Sequence, residues 1–92
     1  MDVITKKTVL VIEDDIALRK VLVEKMTDEQ FTVLEAADGE AGLASALANH
    51  PSIILLDIFM PRMDGITMLS KLRSADAWGK HVNVIEIGRA HV

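Results

Sequence analysis

A chain of 92 residues with a net charge of −4 is at most one small domain, and its acidic balance leaves no basic footprint for direct nucleic-acid contact and no polybasic patch for a membrane surface. Half of the residues are apolar and 26% are charged, a globular balance and not a disordered one. The absence of cysteine excludes disulfides and thiolate metal sites, no apolar run approaches the ~20 residues of a membrane span, and the opening MDVITKK has no apolar signal core, so a cytoplasmic location is expected.

In chain order, TVLVI (Thr8 to Ile12) is the first predicted strand. It does not alternate between apolar and polar residues, which suits a strand covered on both faces, as in a parallel sheet. DIALRKVLVEKMTD then predicts a helix with Leu18, Val21, Leu22 and Met26 on its apolar face and Arg19, Lys20, Glu24 and Lys25 mostly on the other. FTVLEA (Phe31 to Ala36) is a weaker second strand. DGEAGLASALANHP predicts a second helix with Leu43, Ala44, Leu47 and Ala48 inward, closed by Pro51. SIILL (Ser52 to Leu56) is a second continuous apolar run and the third strand. GITMLSKLRSADAWG predicts one helix with Ile66, Leu69 and Leu72 together, stopping near Gly79, before a last strand in HVNVIEI. The alternation β-α-β-α-β-α-β argues for an α/β fold, a doubly wound parallel sheet with right-handed crossovers and helices on both faces.

The two continuous apolar runs both end in acids, VLVIEDD and IILLD. In a parallel sheet both ends lie at the same edge, where open α/β sheets bind ligands, so Glu13, Asp14 and Asp57 are expected to converge there. At ~4 Å and an effective dielectric near 20, each like-charge pair costs roughly 4 kcal/mol, which protonation or a cation must relieve. Hard oxygen donors suit Mg²⁺, and a carboxylate beside that ion can act as a nucleophile toward phosphorus, forming an aspartyl phosphate. Other acids have plainer readings. Asp15 is expected to cap the first helix, Asp38 to make the turn of ADGE, and Asp64 to make a turn in which Gly65 takes a positive φ. His50 is expected at a helix end, His81 in a loop and Trp78 packing the exit of the third helix. Met60, Met63 and Met68 are expected in loop and core, and no two of His50, His81 and His91 stand at metal-ligand spacing.

The strings VLVIEDD, EAADGEAGLASAL and LLDIFMPRMDG resemble the receiver domain of two-component response regulators, over roughly Lys7 to Glu86. The resemblance implies a flavodoxin-like sheet in the order 2-1-3-4, with a fifth strand and the last two helices missing here. It implies that Asp57 accepts a phosphoryl group from a histidine kinase or a phosphotransfer protein. It also implies that Asp14 coordinates Mg²⁺ directly, that Glu13 acts on the ion through water, and that the backbone carbonyl of Phe59 is a further ligand. Met60 and Pro61 would shape the loop beside the site, and Gly65 would start the helix after it. A signalling module is implied, not a turnover enzyme.

The chain departs from the family at its far end. Gly88 stands where a Ser or Thr ends the fourth strand, and the Lys after the fifth strand and the aromatic switch residue on it have no counterpart. Any dimerisation through the C-terminal face would need that missing part. The final IGRAHV, residues 87–92, resembles the translation of a common sequencing adapter, so residues 1–86 are expected to be a partial receiver domain and 87–92 a non-native tail. Without the missing elements the fourth strand is expected to be an open apolar edge and the isolated chain marginal or molten. Two other functions compete. A haloacid dehalogenase-type phosphatase needs a second Asp two residues after its nucleophile, where Phe59 stands. A receiver-like interaction module that never takes phosphate usually lacks the acid pair or the acceptor, and all three acids are present.

Overall fold

The Val- and Ile-rich runs need burial on both sides, and the sheet supplies it. The computed structural model describes residues 7–60 and 63–87. Strands β1 (Thr8–Ile12), β2 (Thr32–Ala36), β3 (Ile53–Asp57) and β4 (Asn83–Ile87) form one parallel sheet in the order β2-β1-β3-β4. Val9 pairs with Val33 on one side and with Ile53 on the other, which fixes the register of the central strands. Side chains alternate between faces along each strand. Leu10, Ile12, Ile54 and Leu56 therefore meet α2 (Gly39–Asn49) and α3 (Gly65–Ala75), through Ala46, Met68 and Leu72. Val9, Val11 and Leu55 point the other way, against Leu22, Val23 and Met26 of α1 (Ile16–Asp28). A strand filled on both faces needs no polar alternation, which explains the unbroken apolar runs.

The strand order and the placement of helices on both faces agree with the sequence reading, but each helix presents a somewhat different face. On α1, Val21 is 61% exposed and Val23 takes the inward place. On α2, Ala44 and Ala48 are exposed, and Gly42 and Ala46 face the sheet with Leu43 and Leu47 beside them. The reason is close approach: a Cβ on Gly42 would lie 2.5 Å from Cδ1 of Ile12. On α3, Ile66 is 67% exposed, and the fully buried Met68 and Leu72 carry the contact.

The third predicted helix is two helices. Asp76 adopts an extended backbone and its carboxylate accepts the N–H of Gly79 at 2.6 Å, so it ends α3 and caps a short α4 (Ala77–His81). A short polar side chain that competes for backbone N–H groups favours such a boundary over a helix interior. Gly79 thus lies inside α4 and does not end the helix, and His81 closes α4 instead of sitting in a loop. Arg73 of α3 secures the break, its Nη1 donating to the carbonyls of Gly79 at 3.1 Å and Val82 at 2.7 Å. Trp78 packs against the α2/α3-side core, as expected of the helix exit, and its ring stacks on His50 at 4.2 Å. His50 ends α2 at φ 45°, a left-handed cap.

Among the described residues β4 pairs with β3 alone, and Ile85 on its α1-side face is 53% exposed. Ile87, assigned above to the tail, is the ladder partner of Asp57, while Gly88 to Val92 lie outside the described residues. The revised α3 face has a direct check in urea unfolding. Leu72→Ala should cost about 2–5 kcal/mol, and Ile66→Ala should stay within about 0.5 kcal/mol. Equal losses would contradict this packing.

Candidate phosphoacceptor and metal site

Two neighbouring strand ends build the site. Pairing of β1 with β2 runs one residue past the strand, because the N–H of Glu13 donates to the carbonyl of Ala36 at 3.0 Å. In the β1–β3 ladder Ile12 lies opposite Leu56, so Glu13 and Asp57 emerge side by side at the carboxyl edge of the sheet. One carboxylate oxygen from each of Glu13, Asp14 and Asp57 lies within 4.8 Å of the others. Glu13 and Asp57 are each only 1% exposed, and Asp14 is half-buried.

The loops around them hold each acid to one task. Asp15 Oδ1 accepts the N–H of Leu18 at 3.0 Å and caps α1, while the N–H of Asp15 donates to Glu13 Oε2 at 3.2 Å. Asp38 caps α2 through the N–H of Ala41, and Asp64 caps α3 through that of Thr67, each at 2.8 Å. These three acids therefore serve helix N-termini, as expected for Asp15, whereas Asp38 and Asp64, read from the sequence as turn residues, prove to be caps as well. Asp57 Oδ1 accepts the N–H of Phe59 at 2.8 Å, which fixes the rotation of its carboxylate.

Beyond Phe59 the chain must turn sharply. Met60 drops into the core beside Leu56 and Met68 and anchors the loop. Pro61 lies outside the described residues. Gly65 is needed here, but for closeness and not for a positive φ, which no described glycine adopts. A Cβ at Gly65 would sit 2.6 Å from the carbonyl oxygen of Asp57, so only glycine lets α3 start against the end of β3.

One residue at the site escaped the sequence reading. Arg19, placed by periodicity on the outer face of α1, turns back so that Nη1 donates to the Glu13 carbonyl at 2.8 Å and Nε to Glu35 Oε1 at 3.2 Å. The only available signal was an arginine one helical turn beyond an acid cluster, with Glu35 near the end of the adjacent strand.

Charge crowding governs what this arrangement can do. Burial raises the Glu13 carboxyl to about 7, and its hydrogen bond with Asp57 acts in the same direction. The donor set is all carboxylate oxygen, clustered and partly desolvated, and it fits a small hard divalent cation such as Mg²⁺. The proton and the cation are alternative answers to the same repulsion.

That argument makes a prediction for the metal-free chain. The folded state holds a proton on Glu13 up to about 7, whereas the unfolded chain releases it near 4.5. The stability this contributes is complete below the lower value and is lost as pH rises through the upper one, on the order of 3 kcal/mol in all. Thermal unfolding in chelator should show that loss between these pH values, and Glu13→Gln should flatten it. A wild-type profile already flat across the window would contradict the assignment.

Known proteins agree with the fold and the family. The sequence model of the response regulator receiver domain matches residues 9–91. The response regulator PleD of Caulobacter vibrioides (strain NA1000 / CB15N) is 42% identical over 79 residues, covering 86% of this chain and 17% of PleD. The probable transcriptional regulator ycf27 of Cyanophora paradoxa is 37% identical over 70 residues, covering 76% of this chain and 29% of that protein. The chain thus spans less than a third of the length of these curated relatives. Among solved structures, the chemotaxis response regulator CheY4 of Vibrio cholerae superposes with a TM-score of 0.84 at 28% identity, over 89% of this chain and 68% of that one. A chain of the CheX-CheY-BeF3-Mg+2 complex from Borrelia burgdorferi superposes at 0.81 with 36% identity, over 89% and 61%. With a family model covering nearly all of its length and both central strands ending on the motif acids, the chain belongs to the response regulator receiver domain family.

Proposed function

We propose that this chain is the phosphoacceptor module of a two-component pathway and that Asp57 takes the phosphoryl group from the phosphohistidine of a histidine kinase or a phosphotransfer protein. The observation that carries the reading is the meeting of Glu13, Asp14 and Asp57 at adjacent strand ends, with Asp57 held by the Phe59 N–H. Three further facts support it. The chain belongs to the receiver family. A structural relative was solved with BeF3 and Mg+2. A segment of histidine kinase P4 from Formosa agariphila is 36% identical to it over 87 residues.

A carboxylate oxygen of Asp57 attacks phosphorus, the P–N bond to the donor imidazole breaks, and its electron pair stays on the imidazole nitrogen. The product is an acyl phosphate on Asp57. Asp14, Asp57 and the Phe59 carbonyl would hold Mg²⁺, and Glu13 would act on it through water. When bound, that ion offsets the negative charge of the phosphoryl oxygens. The Phe59 N–H keeps the nucleophile in one orientation, and the close start of α3 at Gly65 prevents the strand end from drifting.

Receiver domains are signalling modules, so the outcome we assign to the chemistry is a change of conformation and not turnover of a metabolite. No helix among the described residues is long and apolar enough to cross a membrane. We place the chain in the cytoplasm, where kinase and phosphotransfer partners would reach the carboxyl edge of the sheet.

The test is labelling with a small acyl phosphate in the presence of Mg²⁺. Wild type should gain one phosphoryl group that is removed by mild base, and Asp57→Asn should gain none. Undiminished labelling of Asp57→Asn would reject Asp57 as the acceptor.

A further inference from the structure

We infer that Arg19 is a positioning residue for Glu13 and Asp14 and, through them, for the cation. The inference rests on reading the acid cluster as a divalent-cation site. The peptide between Glu13 and Asp14 sets the direction of both side chains, and the structure grips the chain on both sides of the Glu13 Cα. The Glu13 N–H goes to the Ala36 carbonyl of β2, and the Glu13 carbonyl receives Arg19 Nη1 at 2.8 Å. The guanidinium is itself fixed, because its Nε reaches Glu35 Oε1 at 3.2 Å and its side chain is 18% exposed. Both grips therefore lead to the end of β2, which carries Glu35 and Ala36 in succession.

This restraint has work to do. When all three clustered carboxylates are charged, their mutual repulsion would push the β1–α1 loop outward from β3. Asp15 is committed to the cap of α1 and cannot brace the peptide ahead of it from its side chain. A planar guanidinium can donate in two directions at once, and a lysine ammonium on a flexible stem does so without the fixed geometry. Residues that orient metal ligands in this way typically change metal affinity by about 10–100-fold when altered.

The sign of the effect separates positioning from simple charge. Arg19 is a cation near a cation site, so removing its charge alone would tighten Mg²⁺ binding. Loss of positioning would weaken it. Calorimetric titration with Mg²⁺ should show Arg19→Gln binding about tenfold or more weakly than wild type, and Arg19→Lys, which keeps the charge, should fail to restore it. In the metal-free protein, hydrogen exchange at the Asp15 amide should be faster in Arg19→Gln. Glu35→Ala removes the anchor from a half-exposed site and should likewise speed exchange at the Asp15 amide in the metal-free protein, which provides the test should Arg19→Gln not fold. Unchanged or tighter Mg²⁺ binding, or unchanged exchange at Asp15, overturns the inference. If wild type binds no Mg²⁺, the cation reading itself fails, and the Asp15 exchange rate still decides whether Arg19 orders the loop.

Discussion

Repulsion among three carboxylates at one end of a small parallel sheet is the constraint on which the rest of the structure depends. With their oxygens within 4.8 Å, each charged pair opposes folding by ~3 kcal/mol at an effective dielectric near 20. A small domain has only some 5–15 kcal/mol of net stability, so the cluster persists only if its charge is neutralised and its backbone held. Protonation of Glu13 meets the first need in the metal-free chain, and in the function we propose a divalent cation would meet it instead. In the function we propose, the same feature that endangers the fold is the place where an anionic phosphoryl group would be received.

The second need is met by the elements around the cluster. Two central strands with both faces covered carry Glu13 and Asp57 to the edge with little freedom. Asp15 and Asp64 use their carboxylates to start helices on either side, Met60 anchors the loop from below, and Gly65 lets α3 begin against Asp57. Arg19 closes the assembly by tying the Glu13 carbonyl to β2. Local capping, core packing and site geometry therefore depend on one another at this edge. At the far edge, β4 is held to β3 and leaves Ile85 half in solvent.

Much of this was legible in the sequence because burial on both faces leaves a strong mark. Unbroken runs such as Val9 to Ile12 and Ile53 to Leu56 can hardly be half-exposed strands, and the acids that end them share an edge once the sheet is parallel. Helix faces were less legible. In α2 nearly every residue is small, so hydropathy could not tell that Gly42 and Ala46 approach the sheet while Ala44 and Ala48 do not. In α3 the deciding residue was Met68, expected in loop or core but not counted in the helix face, while Ile66, which was counted there, lies in solvent. Asp76 was read as one more helical position because its capping bond to Gly79 is a matter of geometry, not of pattern. Arg19 was hidden for the same reason: periodicity assigns a face but not the reach of a long side chain that bends back over the first turn. The family resemblance supplied the roles of the site residues, which the acids alone left open between a cation site and helix caps.

The most direct test of the central claim is paramagnetic broadening by Mn²⁺, used as a stand-in for Mg²⁺, in amide spectra of the folded chain. If the three acids form one cation site, substoichiometric Mn²⁺ should first erase the amides of Glu13, Asp14, Asp57 and Phe59, and excess Mg²⁺ should restore them. Broadening that begins instead around Asp38 and Glu40, or spreads evenly over the acidic surface, would show that the carboxylates at the strand ends do not act as one site.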